Sequence, residues 1–141
     1  MNSVLLQIAS KYVKWILVAF ALVVLYRGHN YPGGGFIGGL LVGLSVIFSS
    51  FAYDAQRAKN ALKIQPESYI ALGLLLILLS ILPGLFLKQF FMAGVWISFP
   101  LPLFGDLKLG TPFLFDIGVF LAVVGVTLLF FFSLNNIAKW K

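Results

Sequence analysis

Few side chains in this 141-residue chain could handle ions or protons, because it has one histidine, four acidic residues and no cysteine. The lack of cysteine excludes disulfides, thiolate metal ligands and cysteine nucleophiles. His29 titrates near neutral pH when unperturbed, so it suits a proton relay or a pH sensor. The alternative is a polar loop residue that hydrogen-bonds to the backbone and orders a turn.

Asp116 lies near the start of a long apolar run. An ionisable side chain in the apolar zone of a membrane is costly, so Asp116 is a candidate for binding a cation or carrying a proton. The alternative is an interfacial acid that is stabilised by the dipole of its own helix. These groups form neither a metal cluster nor a nucleophile–base pair, so we predict no catalytic residue, no metal site, no cofactor and no enzymatic activity.

Apolar runs of about 20 residues, long enough to cross a hydrocarbon core of roughly 30 Å, predict an all-α integral membrane protein. Hydrophobic residues make up 61% of the chain and charged residues only 10%, a composition that a water-soluble domain of this size could not cover. We predict one membrane domain over residues 1–141, with about four transmembrane helices at 4–26, 33–53, 69–87 and 113–134.

Small residues predict where these helices pack closely, because glycine or alanine at four-residue spacing lets two helices approach each other in lipid. The second helix carries glycines at Gly34, Gly35, Gly38, Gly39 and Gly43. We therefore expect this helix to lie between other helices, with its glycine faces against partner subunits. The last helix has a second small face at Gly118, Ala122 and Gly125, and Asp116 should point roughly opposite that face.

The connections carry three further predictions. Pro83 should kink or end the third helix. Residues 95–110 are apolar, proline-broken and contain Gly105-Asp106, which predicts a short hairpin-like loop that lies at the membrane interface or against a partner. Asp54 and Arg57 are three residues apart and are expected to form a surface ion pair.

The net charge of +6 is best explained by membrane topology, since Lys and Arg concentrate in cytoplasmic loops. With four spans, one side of the membrane would hold most of the cations: Lys11, Lys14, Arg57, Lys59, Lys63, Lys139 and Lys141. We predict a multi-pass protein of the plasma membrane with both termini in the cytoplasm. The basic residues do not alternate with aromatics in a polar context, so nucleic acid is not an expected partner.

The segment from Gly28 to Leu41 reads Gly-His-Asn-Tyr-Pro-Gly-Gly-Gly-Phe-Ile-Gly-Gly-Leu-Leu. Asn30 can cap a helix that starts after it, and Pro32 suits the first turn. The glycines that follow permit unusual backbone angles or very close contact. We assign a structural or interface role to Asn30, Pro32, Gly33, Gly34, Gly35, Phe36, Gly38 and Gly39.

This segment, together with Thr-Pro-Phe-Leu-Phe-Asp-Ile-Gly-Val at 111–119, resembles the signature of the MnhB family, a small subunit of Mrp-type monovalent cation/proton antiporters. The resemblance covers most of the chain. It implies a small accessory subunit of a hetero-oligomeric complex related to respiratory complex I. The partners implied are the other subunits, the lipid bilayer, and the Na⁺ and H⁺ that the complex exchanges.

Two roles fit that resemblance. The protein could be required for assembly and activity and take part in coupling proton uptake to sodium export, with His29 and Asp116 as the ion-linked or proton-linked candidates. Alternatively, it could be a purely structural or assembly subunit that handles no ion directly, which the glycine faces suit equally well.

Overall fold

The computed structural model describes residues 4–28, 33–86, 94, 96–101 and 105–138. Within these ranges the chain forms α1 (Val4–Arg27), α2 (Gly35–Tyr53), α3 (Ala55–Asn60), α4 (Pro66–Phe86), β1 (Trp96–Leu101), β2 (Gly105–Gly110) and α5 (Thr111–Ala138). Four of these helices, α1, α2, α4 and α5, are long and apolar enough to cross a membrane. The predicted four-span, mainly helical fold is thus confirmed.

Local backbone chemistry explains where the observed helices differ from the predicted spans. Helix α2 begins at Gly35 and not at residue 33, because Gly33 and Gly34 have φ angles of 151° and 92°, outside the helical region. Helix α4 begins earlier than predicted, at Pro66, a residue that suits a first helical position. It also continues past Pro83 to Phe86, although proline cannot donate the helical hydrogen bond to the Leu79 carbonyl, so the predicted early end of this helix is not observed.

The connection between α2 and α4 contains the short helix α3, which the sequence pattern did not predict. Asp54 has a φ of 93° and separates α2 from α3. The predicted ion pair between Asp54 and Arg57 is absent among the described residues. The reason is this break, because residues three apart are neighbours only when they lie on one continuous helix.

The four long helices contact one another in the order α1, α2, α5, α4. Helix α1 packs mainly on α2, helix α4 packs mainly on α5, and α1 touches α5 only slightly. Large apolar side chains on the outer helices are exposed, among them Leu5, Ile8, Phe20, Leu74, Leu75 and Leu78. The described helices therefore form a row one helix thick, with apolar faces that suit lipid or other membrane helices.

Contacts between neighbouring helices fix their directions. The Tyr53 hydroxyl donates a 3.3 Å hydrogen bond to the Gln7 carbonyl, so the end of α2 lies at the start of α1. Phe51 and Phe131 stack edge to face at 6.0 Å, which places the second half of α5 at the same end of the row. Helices α2 and α5 therefore run parallel, and α1 runs antiparallel to both. We call the end that holds Tyr53 the basic end and the opposite end the glycine end.

The packing between helices relies on small residues more than on a large side-chain core. Leu128, Ser10 and Ser45 are the largest fully buried side chains among the described residues. This pattern is expected in lipid, where burying another leucine gains little and close backbone contact supplies the dispersion energy. Leu128 belongs to a small apolar cluster with Val124, Phe132 and, from α3, Ala58.

The predicted hairpin before the last helix is present. Strands β1 and β2 pair antiparallel, with Trp96 opposite Gly110 and Leu101 opposite Gly105. The expectation that Gly105 and Asp106 form the turn is wrong, because both lie in β2. Since β2 leads directly into α5, the hairpin lies at the glycine end. Its location at the membrane interface stays a prediction.

The hydrogen bond from Tyr53 to Gln7 offers a direct test of how the ends of α1 and α2 are joined. Replacing Tyr53 by phenylalanine should lower the free energy of unfolding by about 0.5–1.5 kcal/mol, the usual net value of one hydrogen bond. Unfolding in mixed detergent micelles measures the change. The matched control is Tyr12→Phe on the exposed face of α1, which should be neutral. Equal losses in both variants would show that the Tyr53 contact adds nothing.

Candidate functional site

The glycine end brings together the two motifs that the sequence singled out, at the start of α2 and at the start of α5. The Val24 carbonyl accepts hydrogen bonds from the backbone N–H of Gly28 at 2.9 Å and of Gly34 at 3.2 Å. A Cβ atom built on Gly28 would collide with the backbone of Gly34. The chain thus returns against the end of α1 before α2 begins, and only glycine fits at this crossing.

Asp116 lies one and a half turns into α5 and faces this crossing. A Cβ atom on Gly34 would stand 3.5 Å from Oδ1 and 3.7 Å from Oδ2 of Asp116. The same aspartate places its backbone carbonyl against Gly35, where a Cβ atom would overlap it. The half-buried carboxylate is therefore next to the N-terminus of α2.

This position has an electrostatic consequence. The N-terminus of a helix carries a partial positive charge and N–H groups without helical partners. Helix α2 has no acidic residue in its first turn, and its N-cap residue Gly34 makes no side-chain capping hydrogen bond. Asp116 supplies from α5 the negative group that α2 lacks. A carboxylate at this location can accept hydrogen bonds from the helix start, or it can take up and release a proton.

From Asp116 toward the basic end, the glycine face of α2 stays in close contact with α5. A Cβ atom on Gly39 would lie 2.7 Å from the Phe120 carbonyl oxygen, and one on Gly43 would lie 2.6 Å from Cγ2 of Thr127. On Gly38, a Cβ atom would meet the Ala21 carbonyl of α1 and the ring of Phe120. Helices of the same chain occupy the space beside these glycines. The expectation that they face partner subunits is wrong at these positions, and α2 lies between α1 and α5.

The opposite face of α5 packs against α4 in the same way. A Cβ atom on Gly118 would come within 2.8 Å of the Gly73 carbonyl oxygen, and one on Gly125 within 2.7 Å of the Pro66 carbonyl oxygen. The predicted separation of Asp116 from the small face of α5 is therefore observed. Helix α5 uses one face for α2 and the opposite face for α4.

The other predicted residues fall into three groups. Phe36 is 58% exposed and points away from the helix contacts, whereas Gly33 to Gly35 lie at the crossing. His29, Asn30 and Pro32 fall outside the described residues. Among the described residues, no group of three His, Cys, Asp or Glu side chains could hold a metal ion.

Two residues at this site were not identified from the sequence. Phe120 touches three glycines of α2, through its backbone N–H, its carbonyl oxygen and its ring. It lies four residues after Asp116, so the two residues share one face of a helix. Helical periodicity in the sequence is therefore enough to identify Phe120 as a neighbour of this site. Val24 contributes its carbonyl oxygen, and its side chain faces Gly33, but no residue-type signal identifies this position.

Known proteins resemble this chain over most of its length. A family described as "Domain related to MnhB subunit of Na+/H+ antiporter" matches residues 5–129. The chain is 35% identical to the B-type subunit of the Na(+)/H(+) antiporter of Bacillus subtilis (strain 168), over 90% of this chain and 89% of that protein. It is 32% identical to the protein of the same name from Alkalihalophilus pseudofirmus, over 90% of this chain and 88% of that protein.

A solved structure has the same fold. One chain in the structure of the Mrp complex from Dietzia sp. DQ12-45-1b superposes with a TM-score of 0.75 at 30% sequence identity. The match covers 89% of this chain but 13% of the solved chain, which is therefore much longer. The four-helix unit described here thus also occurs as one part of a larger polypeptide.

Proposed function

The chain belongs to the MnhB family of Na⁺/H⁺ antiporter subunits, and from this premise we propose that it is a small accessory subunit of a multisubunit Na⁺/H⁺ antiporter. In this role it is required for assembly and activity of a complex that couples proton uptake to sodium export. The larger subunits carry out most of the ion exchange, and this chain contributes Asp116 and His29 to ion or proton handling.

The observation that carries this proposal is the contact between the two motifs. The carboxylate of Asp116 lies next to Gly34, so residues far apart in sequence meet at one end of the row. An ionisable side chain held between membrane helices is a functional candidate. A single carboxylate is too little for an autonomous exchanger, which is expected to use several intramembrane acids. The site therefore fits one component of a complex better than an independent transporter.

The charge distribution supports an orientation. Among the described cations, the basic end carries Lys11, Lys14, Arg57, Lys59 and Lys63. Arg27 and Lys108 belong to the glycine end. By the positive-inside rule, we propose that the basic end faces the cytoplasm of the plasma membrane, with both chain termini on that side.

Extraction in a mild detergent tests the proposal. An affinity tag on this chain should recover several larger hydrophobic polypeptides in fixed proportion, and vesicles containing the recovered complex should exchange Na⁺ for H⁺. Vesicles containing this chain alone should not. Recovery of the chain without partners as a stable species that is fully active in Na⁺/H⁺ exchange would contradict the proposal.

A purely structural role is the second candidate, and the packing of Asp116 favours it. The carboxylate can be accounted for as the negative group at the start of α2, without any transported ion. In that case, this protein supplies a rigid set of helices against which the others assemble. The two roles differ in what happens to transport when the charge of Asp116 is removed and the fold is kept.

A further inference from the structure

The basic end of the row contains a cleft that plays no part in the site at the glycine end. The cleft has a volume of about 380 Å³, within the range of about 300 to 1,000 Å³ that is usual for ligand sites. It lies between the start of α1, the end of α2 and the short helix α3. Its lining includes three cations, namely Lys11, Lys14 and Arg57.

These cations come from two helices that the break at Asp54 brings together. Lys11 and Lys14 are three residues apart on α1 and so share a face. Arg57 reaches the cleft because α3 starts in a new direction after the positive φ of Asp54. None of the three forms an ion pair with a carboxylate in the described part of the chain. Three positive charges without a carboxylate partner among the described residues favour the binding of an anion in this cleft.

A buried hydroxyl in the lining supports the same conclusion. Ser10 is fully buried, and its Oγ has no hydrogen-bond partner among the described residues. Other serines in these helices donate to a carbonyl one turn earlier, as Ser45, Ser49, Ser50 and Ser80 do. A buried hydroxyl without a hydrogen-bond partner lowers the stability of the fold by about 1–3 kcal/mol. A ligand oxygen in the cleft could satisfy Ser10 after a change of its rotamer.

The surroundings of the cleft indicate a lipid headgroup as the source of the anion. Trp15 lines the cleft and is 65% exposed, as aromatic side chains are where a membrane meets water. From these cations toward the glycine end, Ile16 and Leu22 of α1 are also exposed, so acyl chains that extend from the headgroup into the bilayer could lie against this helix. Basic pockets between membrane helices on the cytoplasmic side suit anionic headgroups. We infer that this cleft binds the phosphate headgroup of an anionic phospholipid.

Quenching of Trp15 fluorescence tests the inference on the full-length chain in bilayers. The background variant Trp96→Phe/Trp140→Phe leaves Trp15 as the single tryptophan. Phosphatidylglycerol and phosphatidylcholine, each brominated in its acyl chains, are added in turn at equal mole fraction to bilayers of the unbrominated zwitterionic lipid. The anionic lipid should quench Trp15 at a several-fold lower mole fraction than the zwitterionic lipid does.

Substitutions distinguish specific binding of the lipid headgroup in the cleft from general attraction of anionic lipid to a basic surface. Replacing Lys11, Lys14 or Arg57 by glutamine should each lower the lipid preference about fivefold, the value of about 1 kcal/mol per cation. Arg57→Lys keeps the charge and should retain most of the preference. The matched control is Lys59→Gln, on the same short helix but outside the cleft lining, which should change little.

Three results would overturn the inference. One is equal quenching by both lipids. Another is a loss of preference in Lys59→Gln as large as that in Arg57→Gln, since the attraction would then belong to the surface as a whole. The last is relief of quenching by inorganic phosphate at a constant ionic strength set with chloride, which would identify a soluble anion as the ligand. None of these results depends on the transport role proposed above.

Discussion

Replacement of Gly39 by leucine should separate α2 from α5 and lower the free energy of unfolding by about 3 kcal/mol or more, the upper range for overpacked contacts. A Cβ atom at this position already lies 2.7 Å from the Phe120 carbonyl oxygen and 2.8 Å from Cβ of Val123. Neither atom can move without moving the backbone of α5. Helix propensity alone predicts the opposite sign, because glycine in a helix interior costs about 1 kcal/mol relative to alanine.

Unfolding in mixed detergent micelles, with recovery of the assembled complex as a second readout, measures this effect. The matched control is Ala19→Leu, which adds a comparable apolar group on the exposed face of α1 and should be neutral. Gly43→Ala should have a smaller effect, since its Cβ would meet only the Thr127 side chain. If Gly39→Leu is as stable as Ala19→Leu, the close contact between α2 and α5 is not what joins these helices.

Asp116→Asn should reduce Na⁺/H⁺ exchange by the assembled complex by about 100-fold, the lower range for removal of a proton-transferring group. Asparagine keeps the shape of the side chain and can still accept hydrogen bonds at the start of α2. The loss of a charge at a helix terminus costs only about 0.3–1 kcal/mol, so the protein should still fold and assemble. Asp116→Glu, which keeps the carboxylate, should restore part of the exchange.

Asp54→Asn is the matched control for Asp116→Asn, whose effect on exchange decides between the two proposed roles. Asp54 is an exposed acid at the other end of the same chain, and its neutralisation should leave exchange unchanged. His29→Gln should alter the pH dependence of exchange without reducing assembly if His29 belongs to the proton route. Normal exchange and an unaltered pH profile in both Asp116→Asn and His29→Gln would establish the structural role and exclude ion handling by these groups.

Hydropathy and turn chemistry were sufficient to predict the four spans, the hairpin and the two opposite faces of α5. These features depend on residues close together in sequence. A run of apolar residues must cross the bilayer as a helix, because backbone groups in lipid have no other partners. The two faces of α5 follow from the rotation of about 100° per residue, which separates Asp116 from Gly118.

The neighbours of each helix could not be predicted in the same way. In lipid every apolar face is acceptable, so a glycine stripe predicts close contact without identifying the partner. The stripe at Gly35 and Gly39 was assigned to other subunits, whereas α5 of the same chain occupies it. The proximity of Gly34 to Asp116 and the break at Asp54 are likewise long-range or backbone features. Residue types alone do not reveal them.

The single row of helices limits what this polypeptide could enclose. Because α1 and α4 each pack mainly on one neighbour, the row that the described helices form has two broad sides and no interior between them. A hydrated conduit for ions needs walls all round, and a row one helix thick supplies at most one of them. Any passage that runs beside Asp116 must therefore be closed by helices outside this row.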